Sequence, residues 1–476
     1  MPLPIAAERI RVLNETPNRA SGEYVLYWMQ QSQRAEWNHA LEYAIHSANE
    51  ARLPVLVAFG LMDDYPEANA RHYHFMLEGL RDVEAALENR GIGFVLRKGA
   101  PANVALSFGR KAHSIVVDRG YLRHQRAWRE EVAAKATCRV TQVETDVAVP
   151  VDVVSGKCEI AARTLRPKLW RNAERFLQPL RATSPHVSWS IPLRSDIALD
   201  DAEKAVRTLK VDHSVGSVSQ FFTGGTRTAK RLFERFCAQR LHHYAERRNH
   251  PENDEISHMS PYLHFGQISP VWLALEAEKF TSTEGINVQS FVEELLVRRE
   301  LAMNFVAHES NYDTYAAVPA WAQQTLEIHA SDRRPHCYDP RQFENAETHD
   351  PYWNAAMREM RFTGFMHNYM RMYWGKKILE WSASPQEAFA TLLTLNNRYF
   401  LDGRDPNSYA NAGWIFGLHD RPWPERAIFG TVRSMMASGL ERKCDIKEYV
   451  RKVDRLVEKA GGPPAGHGTE RDLFER

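Results

Sequence analysis

Short apolar runs separated by helical patterns, all within the first quarter of the chain, constrain the fold most. They are Tyr24–Trp28 (YVLYW), Pro54–Phe59 (PVLVAF), Phe94–Leu96 and Ser114–Asp118 (SIVVD). Between them, Glu36–Ala51 and His72–Asn89 repeat apolar residues at helical spacing. Strands this apolar must be covered on both faces, and helical crossovers join strands that run parallel. The expectation is a doubly wound parallel sheet whose last strand ends near Val149–Pro150.

The chain has 476 residues, more than one hydrophobic core usually supports. From Leu180 to Val218 the text is irregular and reads as a connector between domains. From Gly224 onward the periodicity is helical, with loops marked by Pro, Gly, Asn and Asp. The expected fold class is therefore an N-terminal α/β domain plus an all-α C-terminal domain.

A net charge of +1 rules out a polycation, so nucleic-acid binding would need a local basic face. No apolar run is long enough to cross a bilayer. The start, MPLPIAAERIRVLNE, lacks an apolar signal core, and a cytoplasmic location is expected. The five cysteines are scattered, with no CxxC pair. Neither a disulfide framework nor a zinc site is expected. No GxGxxG follows the first strand and no GxxxxGK[ST] occurs, so the usual NAD and ATP enzymes are not indicated. The crevice at the carboxyl ends of the strands still suits a flat ligand.

The densest chemistry lies between Gly364 and Tyr409. Trp374 and Trp381 are seven residues apart on a helical pattern, which places them roughly 10 Å apart on one face. The loop-forming text LNNRYFLDGRDPNSY follows. Indoles in line beside a polar pocket point to electron transfer into a buried organic cofactor. Arg371 with Asp402 or Asp405 reads as a buried ion pair, or as a staple from helix to loop.

Weaker signals each have a structural alternative. Gly224-Gly225-Thr226-Arg227-Thr228 opens a helix: a diphosphate site or a plain cap. Ser257 and Ser260 flank one turn of SHMSPYLHFG and read as phosphate donors or as punctuation. Glu293–Glu300 is a salt-bridged helix face or brings one carboxylate to a pocket mouth. Asn249 is a loop residue or an amide reading a base edge. Trp414–Trp423 is a mini-core or a stacking platform, with Arg421, Arg426 and Arg433 near enough to meet phosphates.

Several of these segments together resemble the class II cyclobutane pyrimidine dimer (CPD) photolyases of the photolyase/cryptochrome flavoproteins. The motifs are YVLYWMQQSQR (24–34), ANARHYHFMLEGL (68–80), SHMSPYLHFGQISP (257–270), EELLVRREL (293–301), MRMYWGKKILEW (370–381) and LDGRDPNSY (401–409). The resemblance runs from Tyr24 to about Val453. It implies an antenna domain (1–175), a linker (176–220) and a helical domain holding FAD and the lesion (221–460); the text GGPPAGHGTERDLFER (461–476) reads as a disordered tail.

The same resemblance assigns residues. Trp381, Trp353 and Trp374 match an electron relay, with Trp381 nearest the flavin and Trp374 outermost in one ordering. Asn396 matches the asparagine facing flavin N5, and Arg371 and Asp402 a salt bridge beside the ring. Tyr244, Ser257, Met259 and Ser260 match cofactor-contacting positions; Gly225, Thr226, Arg227 and Asp405, read from the residues above, complete the expected cofactor contacts. Glu294, Met372, Arg248, Asn249 and Trp414 match positions near the bound dimer. Phe365 and Asn368 depart from residues common in relatives, Lys and Gly. A deazaflavin or folate antenna is possible within the family, and nothing in residues 1–150 decides it.

The implied activity is light-driven repair by a lyase acting on UV-damaged DNA as a monomer, without a metal. The dimer is flipped out of the duplex, and excited reduced FAD lends it one electron while the ring splits. Glu294 would hydrogen-bond a pyrimidine carbonyl, as a protonated carboxyl or through a bridging proton. The rival implications are a cryptochrome-type photoreceptor and a (6-4) photoproduct photolyase. For the latter, His367 is the candidate lesion histidine.

Overall fold

The computed structural model describes residues 5–464, so most of the expected tail lies outside the described residues. The chain divides into two compact units. One comprises Met1–Ser217, Thr223–Cys237 and Ser257–His308; the other comprises Val218–Phe222, Ala238–Ile256 and Glu309–Arg476.

The first unit is built on a six-stranded sheet: β1 (Ile10–Val12), β2 (Tyr24–Met29), β3 (Val55–Leu61), β4 (Gly93–Lys98), β5 (Ala112–Asp118) and β6 (Arg139–Val143). The spatial order is β1-β6-β5-β2-β3-β4. All pairings are parallel except β1 with β6. The side chains of β2 alternate between two cores. Val25, Tyr27 and Met29 join helices α1 (His39–Ala51) and α2 (Ala70–Asn89) on one face. Tyr24, Leu26 and Trp28 join α3 (Pro101–Gly109) and α4 (Arg123–Lys135) on the other. The doubly wound expectation is met.

Helix starts follow capping chemistry more than periodicity. The α1 helix begins later than the apolar pattern suggested, because the Asn38 side chain accepts from Leu41 N. Its partner α2 begins earlier, where Asn69 N–H donates to His72 Nδ1.

Three expectations need correction. The last strand is β6, and Val147–Val149 is not a strand. Its backbone is satisfied by two buried charged side chains instead of a ladder. The Arg9 guanidinium donates to the carbonyls of Glu144, Val147 and Ala148, and the Glu300 carboxylate accepts from the N–H groups of Ala148 and Val149. Burial holds the Glu300 carboxyl up at about 7. The N-terminal β1 was not foreseen. Finally, the segment read as an interdomain connector packs on the α/β unit itself. Thr183 N donates to Glu42, Trp189 N to Gly91 O, and Asp196 N to Leu96 O, so it runs along the free edge of β4.

The strand order reverses between β2 and β5. There Asp118, at the end of β5, accepts from the N–H groups of Gln30, Gln31 and Ser32 and from Tyr27 Oη. The SHMSPYLHFGQ segment closes on this loop. Gly266 adopts φ 64°, and a Cβ there would lie 2.0 Å from Gln31 O, so only glycine fits.

The second unit is helical. Pro351–Thr363 packs on Ile446–Lys459 and on Asn368–Trp381, which packs in turn on Pro385–Tyr399 and Pro406–Ile415. Among the described residues, no helix is long and apolar enough to cross a membrane.

Candidate functional site: an aromatic row beside a buried ion pair

Asp350 fixes the two tryptophan-bearing helices of the second unit against each other. As N-cap of Pro351–Thr363 it accepts from Tyr352 N and Trp353 N at 2.9 and 3.0 Å. Its other oxygen accepts from Tyr373 Oη, on the helix Asn368–Trp381. Burial, with Asp350 close by, pushes the Tyr373 phenol far up, so it stays a donor.

This arrangement sets the Trp353 indole against the Trp381 ring and against the backbone of Trp374. Trp353 Nε1 donates to Trp374 O at 2.9 Å. The rings of Trp353 and Trp381 lie 6.1 Å apart at 62°. Trp374 meets Phe400 edge-on at 6.2 Å, and the Arg371 guanidinium sits 3.9 Å from the Phe400 ring. Arg371 pairs with Asp402 at 3.1 Å and donates from Nε to Met366 O at 2.9 Å. The two acids that sequence left open are thereby separated. Asp405 instead caps Pro406–Ile415, accepting from Asn407 N at 2.8 Å.

Asn396 is buried at the end of Pro385–Tyr399, and its Nδ2 donates to Asn397 Oδ1 at 3.0 Å. The same oxygen accepts from Arg404 N at 2.9 Å, folding the LDGRD loop back onto the helix. Gly364 ends Pro351–Thr363 at φ 73° beside Leu401, and Leu401 N bonds to Gly364 O. His367 is buried and caps the next helix, accepting from Tyr369 N at 3.2 Å. Phe365 lies under Arg371, whose guanidinium is 5.4 Å from its ring, while Asn368 opens the helix on the surface.

Half-buried Trp414 carries two cations on its ring: Lys376 Nζ at 5.1 Å and Arg433 at 5.7 Å. Arg433 also lies 4.7 Å from the Trp423 ring, and Arg421 5.7 Å. Lys376 is fully buried and donates to Ile415 O. Desolvation lowers its ammonium to about 7, with Asp420 opposing and Arg433 reinforcing the shift. Met372 is half-buried on the same helix. Elsewhere in this unit, Arg248 packs its guanidinium 5.9 Å from the ring of buried Tyr244, and Asn249 follows it.

The remaining residues belong to the first unit. The Gly224–Arg227 donors are already taken, which favours the capping reading over the diphosphate reading. Gly224 N donates to Glu78, Gly225 N to Gln267 and Arg227 to Asp82; Thr226 Oγ1 donates to Gln267 O. Burial raises Glu78 to about 7. Met259 is buried, Ser257 half-buried and Ser260 exposed at the start of its helix. Glu294 is half-buried on a π-helical turn, Glu293–Arg298, beside a Glu293 held by Arg166 at 2.6 Å. Such turns are enriched at functional positions, and nothing in the local sequence announced this one. Sequence reasoning also missed Tyr338 and His349, whose rings pack on Trp381 at 5.8 and 4.9 Å.

Residues 25–186 match the DNA photolyase family. The chain is 48% identical to the deoxyribodipyrimidine photo-lyase of Methanothermobacter thermautotrophicus, over 96% of this chain and 100% of the relative. The chain belongs to the DNA photolyase family. The photolyase fold extends across both units. A bacterial class III photolyase from Agrobacterium tumefaciens superposes with a TM-score of 0.70 at 18% identity, covering 94% of this chain and 93% of the other. The cryptochrome of Synechocystis sp. PCC6803 gives a TM-score of 0.67 at 15% identity, covering 92% and 94%. An α/β unit and a helical unit are thus the photolyase architecture that the strand pattern and helical periodicity foretold.

Proposed function

We propose that this chain is a class II deoxyribodipyrimidine photo-lyase, repairing cyclobutane pyrimidine dimers in DNA under light. The observation that carries the proposal is the Trp381–Trp353 ring pair bonded to the backbone of Trp374, on the helix that carries Arg371 of the Arg371–Asp402 pair, in a chain so similar to a deoxyribodipyrimidine photo-lyase.

Flavin binding is a property of the family, and FAD is the flavin proposed here. The residues present suit it. Trp374 Nε1 is buried without a hydrogen-bond partner, and Asp402 Oδ1 accepts no hydrogen bond within the protein despite its ion pair. Buried polar atoms normally find partners, and a ring edge with both acceptors and donors would supply them. Arg371, Asp402, Asn396 and Tyr244, all in the helical unit, are the proposed contacts. Asp405 supports them by capping. Bound in its reduced form, FAD supplies the photoexcited electron.

The protein residues bind, orient and exclude water. Asn396, its amide held by Asn397, would be the residue to bond flavin N5. Trp414, its ring braced by Lys376 and Arg433, stacks on an extruded base. Arg421, Arg426 and Arg433 meet phosphates. Glu294 is proposed to donate, as a protonated carboxyl, to a pyrimidine carbonyl; within the helical unit Met372, Arg248 and Asn249 are the proposed dimer contacts. The relay geometry favours the reverse of the ordering suggested from sequence: Trp374 is the indole near Arg371–Asp402, and Trp381 is the outer one. Electrons therefore pass from Trp381 through Trp353 to Trp374.

The (6-4) alternative loses support because its candidate histidine, His367, is a buried helix cap. Repair of a dimer-bearing oligonucleotide under blue light tests the proposal. A protein that binds FAD but leaves the dimer intact would be a photoreceptor instead. The absorption spectrum of the purified protein reads FAD and any deazaflavin or folate in one measurement.

A further inference from the structure

Trp381 is buried, and two side chains that no motif marked, Tyr338 and His349, pack on its ring and lead toward the surface. Tyr338 Oη lies 2.7 Å from His349 Nδ1. The backbone N–H of His349 donates to that same oxygen at 3.0 Å. A phenol oxygen that accepts there directs its own proton along the remaining contact, toward Nδ1. This direction corresponds to a neutral imidazole whose proton is on Nε2.

The surroundings favour this state. His336 stacks on His349 with centroids 3.6 Å apart. The charged and titratable groups facing His349 are His336, Asp350, Lys377 and Glu380. Burial, then the neighbouring His336, hold the imidazole below the ordinary histidine range. Lys377 Nζ sits 5.4 Å from the Trp381 ring. A cation there disfavours positive charge on the indole, so an oxidised Trp381 is a stronger oxidant.

We propose that His349 is the proton acceptor that lets Tyr338 refill Trp381 once the relay has taken an electron from it. The inference rests on the relay reading above. An electron passes from Tyr338 to the Trp381 radical cation, which becomes neutral tryptophan. The Tyr338 O–H bond breaks as its proton moves to Nδ1, leaving a neutral phenoxyl radical and an imidazolium. The two transfers are concerted, because the phenol radical cation is too acidic to persist. A soluble thiol then gives a hydrogen atom to the phenoxyl oxygen, and His349 returns its proton to water. Exposure of His349 provides that exit. Without the base, Tyr338 is only a neighbour and the hole stays on Trp381.

The experiment is flash photolysis of the full chain carrying oxidised FAD, following tryptophan and tyrosyl radical absorption. In the parent, the tryptophan radical should decay as the tyrosyl radical appears. The decay should slow in heavy water and slow again as pH falls below the usual histidine range. His349→Gln keeps an oxygen to accept the Tyr338 hydrogen bond but no basic nitrogen, so a role limited to loop packing predicts no change. The expected result is a decay slowed about tenfold or more, a barrier increase of ~1.4 kcal/mol, recovered by added imidazole. Tyr338→Phe should abolish the tyrosyl signal and prolong the tryptophan radical. Decay unchanged in His349→Gln, or insensitive to heavy water, overturns the His349 step alone. A parent that forms no tryptophan radical overturns the relay itself.

Discussion

Trp353 donates its indole N–H to the backbone carbonyl of Trp374 at 2.9 Å, tying the middle member of the row to the helix that carries the inner one. Trp353→Phe removes that donor and moves the ring edge. The carbonyl, inside the helix Asn368–Trp381, loses its second donor, a cost of about 0.5–1.5 kcal/mol. Photoreduction of oxidised flavin should fall by roughly tenfold or more, read from flavin absorbance during blue illumination. Unchanged photoreduction would mean that electrons reach the flavin by another path.

The Arg371–Asp402 pair should govern flavin retention. Asp402→Asn leaves a mostly buried guanidinium with its bond to Met366 O and no counter-charge. We expect a stability loss of about 1–3 kcal/mol and partial loss of FAD on gel filtration. An absorbance ratio of flavin to protein equal to the parent's would contradict a role for the pair beside the ring.

Lys376 should give the fold a distinctive pH dependence. Its ammonium is lowered to about 7 in the folded chain by burial, against an unfolded value near 10.4. Between these values the unfolded state binds more protons, so stability rises with pH as the folded lysine deprotonates. The penalty is fully present below the folded value and gone above the unfolded one. The difference in unfolding free energy between parent and Lys376→Met should therefore move in the parent's favour from about pH 7 to about pH 10. Denaturant titrations across that range measure it, and a flat difference would show that Lys376 titrates normally.

Binding to a dimer-bearing duplex should weaken steeply with salt. Each phosphate contact removed should reduce the slope of log K against log salt by ~0.9. Arg433→Ala should show this, and should also loosen Trp414 and Trp423, whose rings it covers. A slope equal to the parent's would place Arg433 off the phosphate path.

What sequence revealed follows from how local each signal is. The β2 to β5 strands were legible because their buried faces leave unbroken apolar text. Val147–Val149 carries the same text and misled, because its backbone partners, Arg9 and Glu300, are distant in the chain. The β1 strand has mostly exposed residues and no apolar signature. Trp374 and Trp381 share one helix and could be read by spacing. Tyr338 and His349 come from a loop far upstream, so no periodicity ties them to Trp381. Gly225 and Thr226 looked like phosphate donors because sequence cannot show that Gln267 has claimed their hydrogen bonds.

The two rims of the sheet carry a final implication. On one side β1 pairs antiparallel with β6, and on the other residues 189–196 bond along β4. Residues 189–196 cover the β4 margin, and the other ends in a strand of three residues, too short to offer a long ladder to a stray strand. A variant lacking β1 would expose one such margin in every molecule, and its first failure should be fibrous self-association rather than loss of colour.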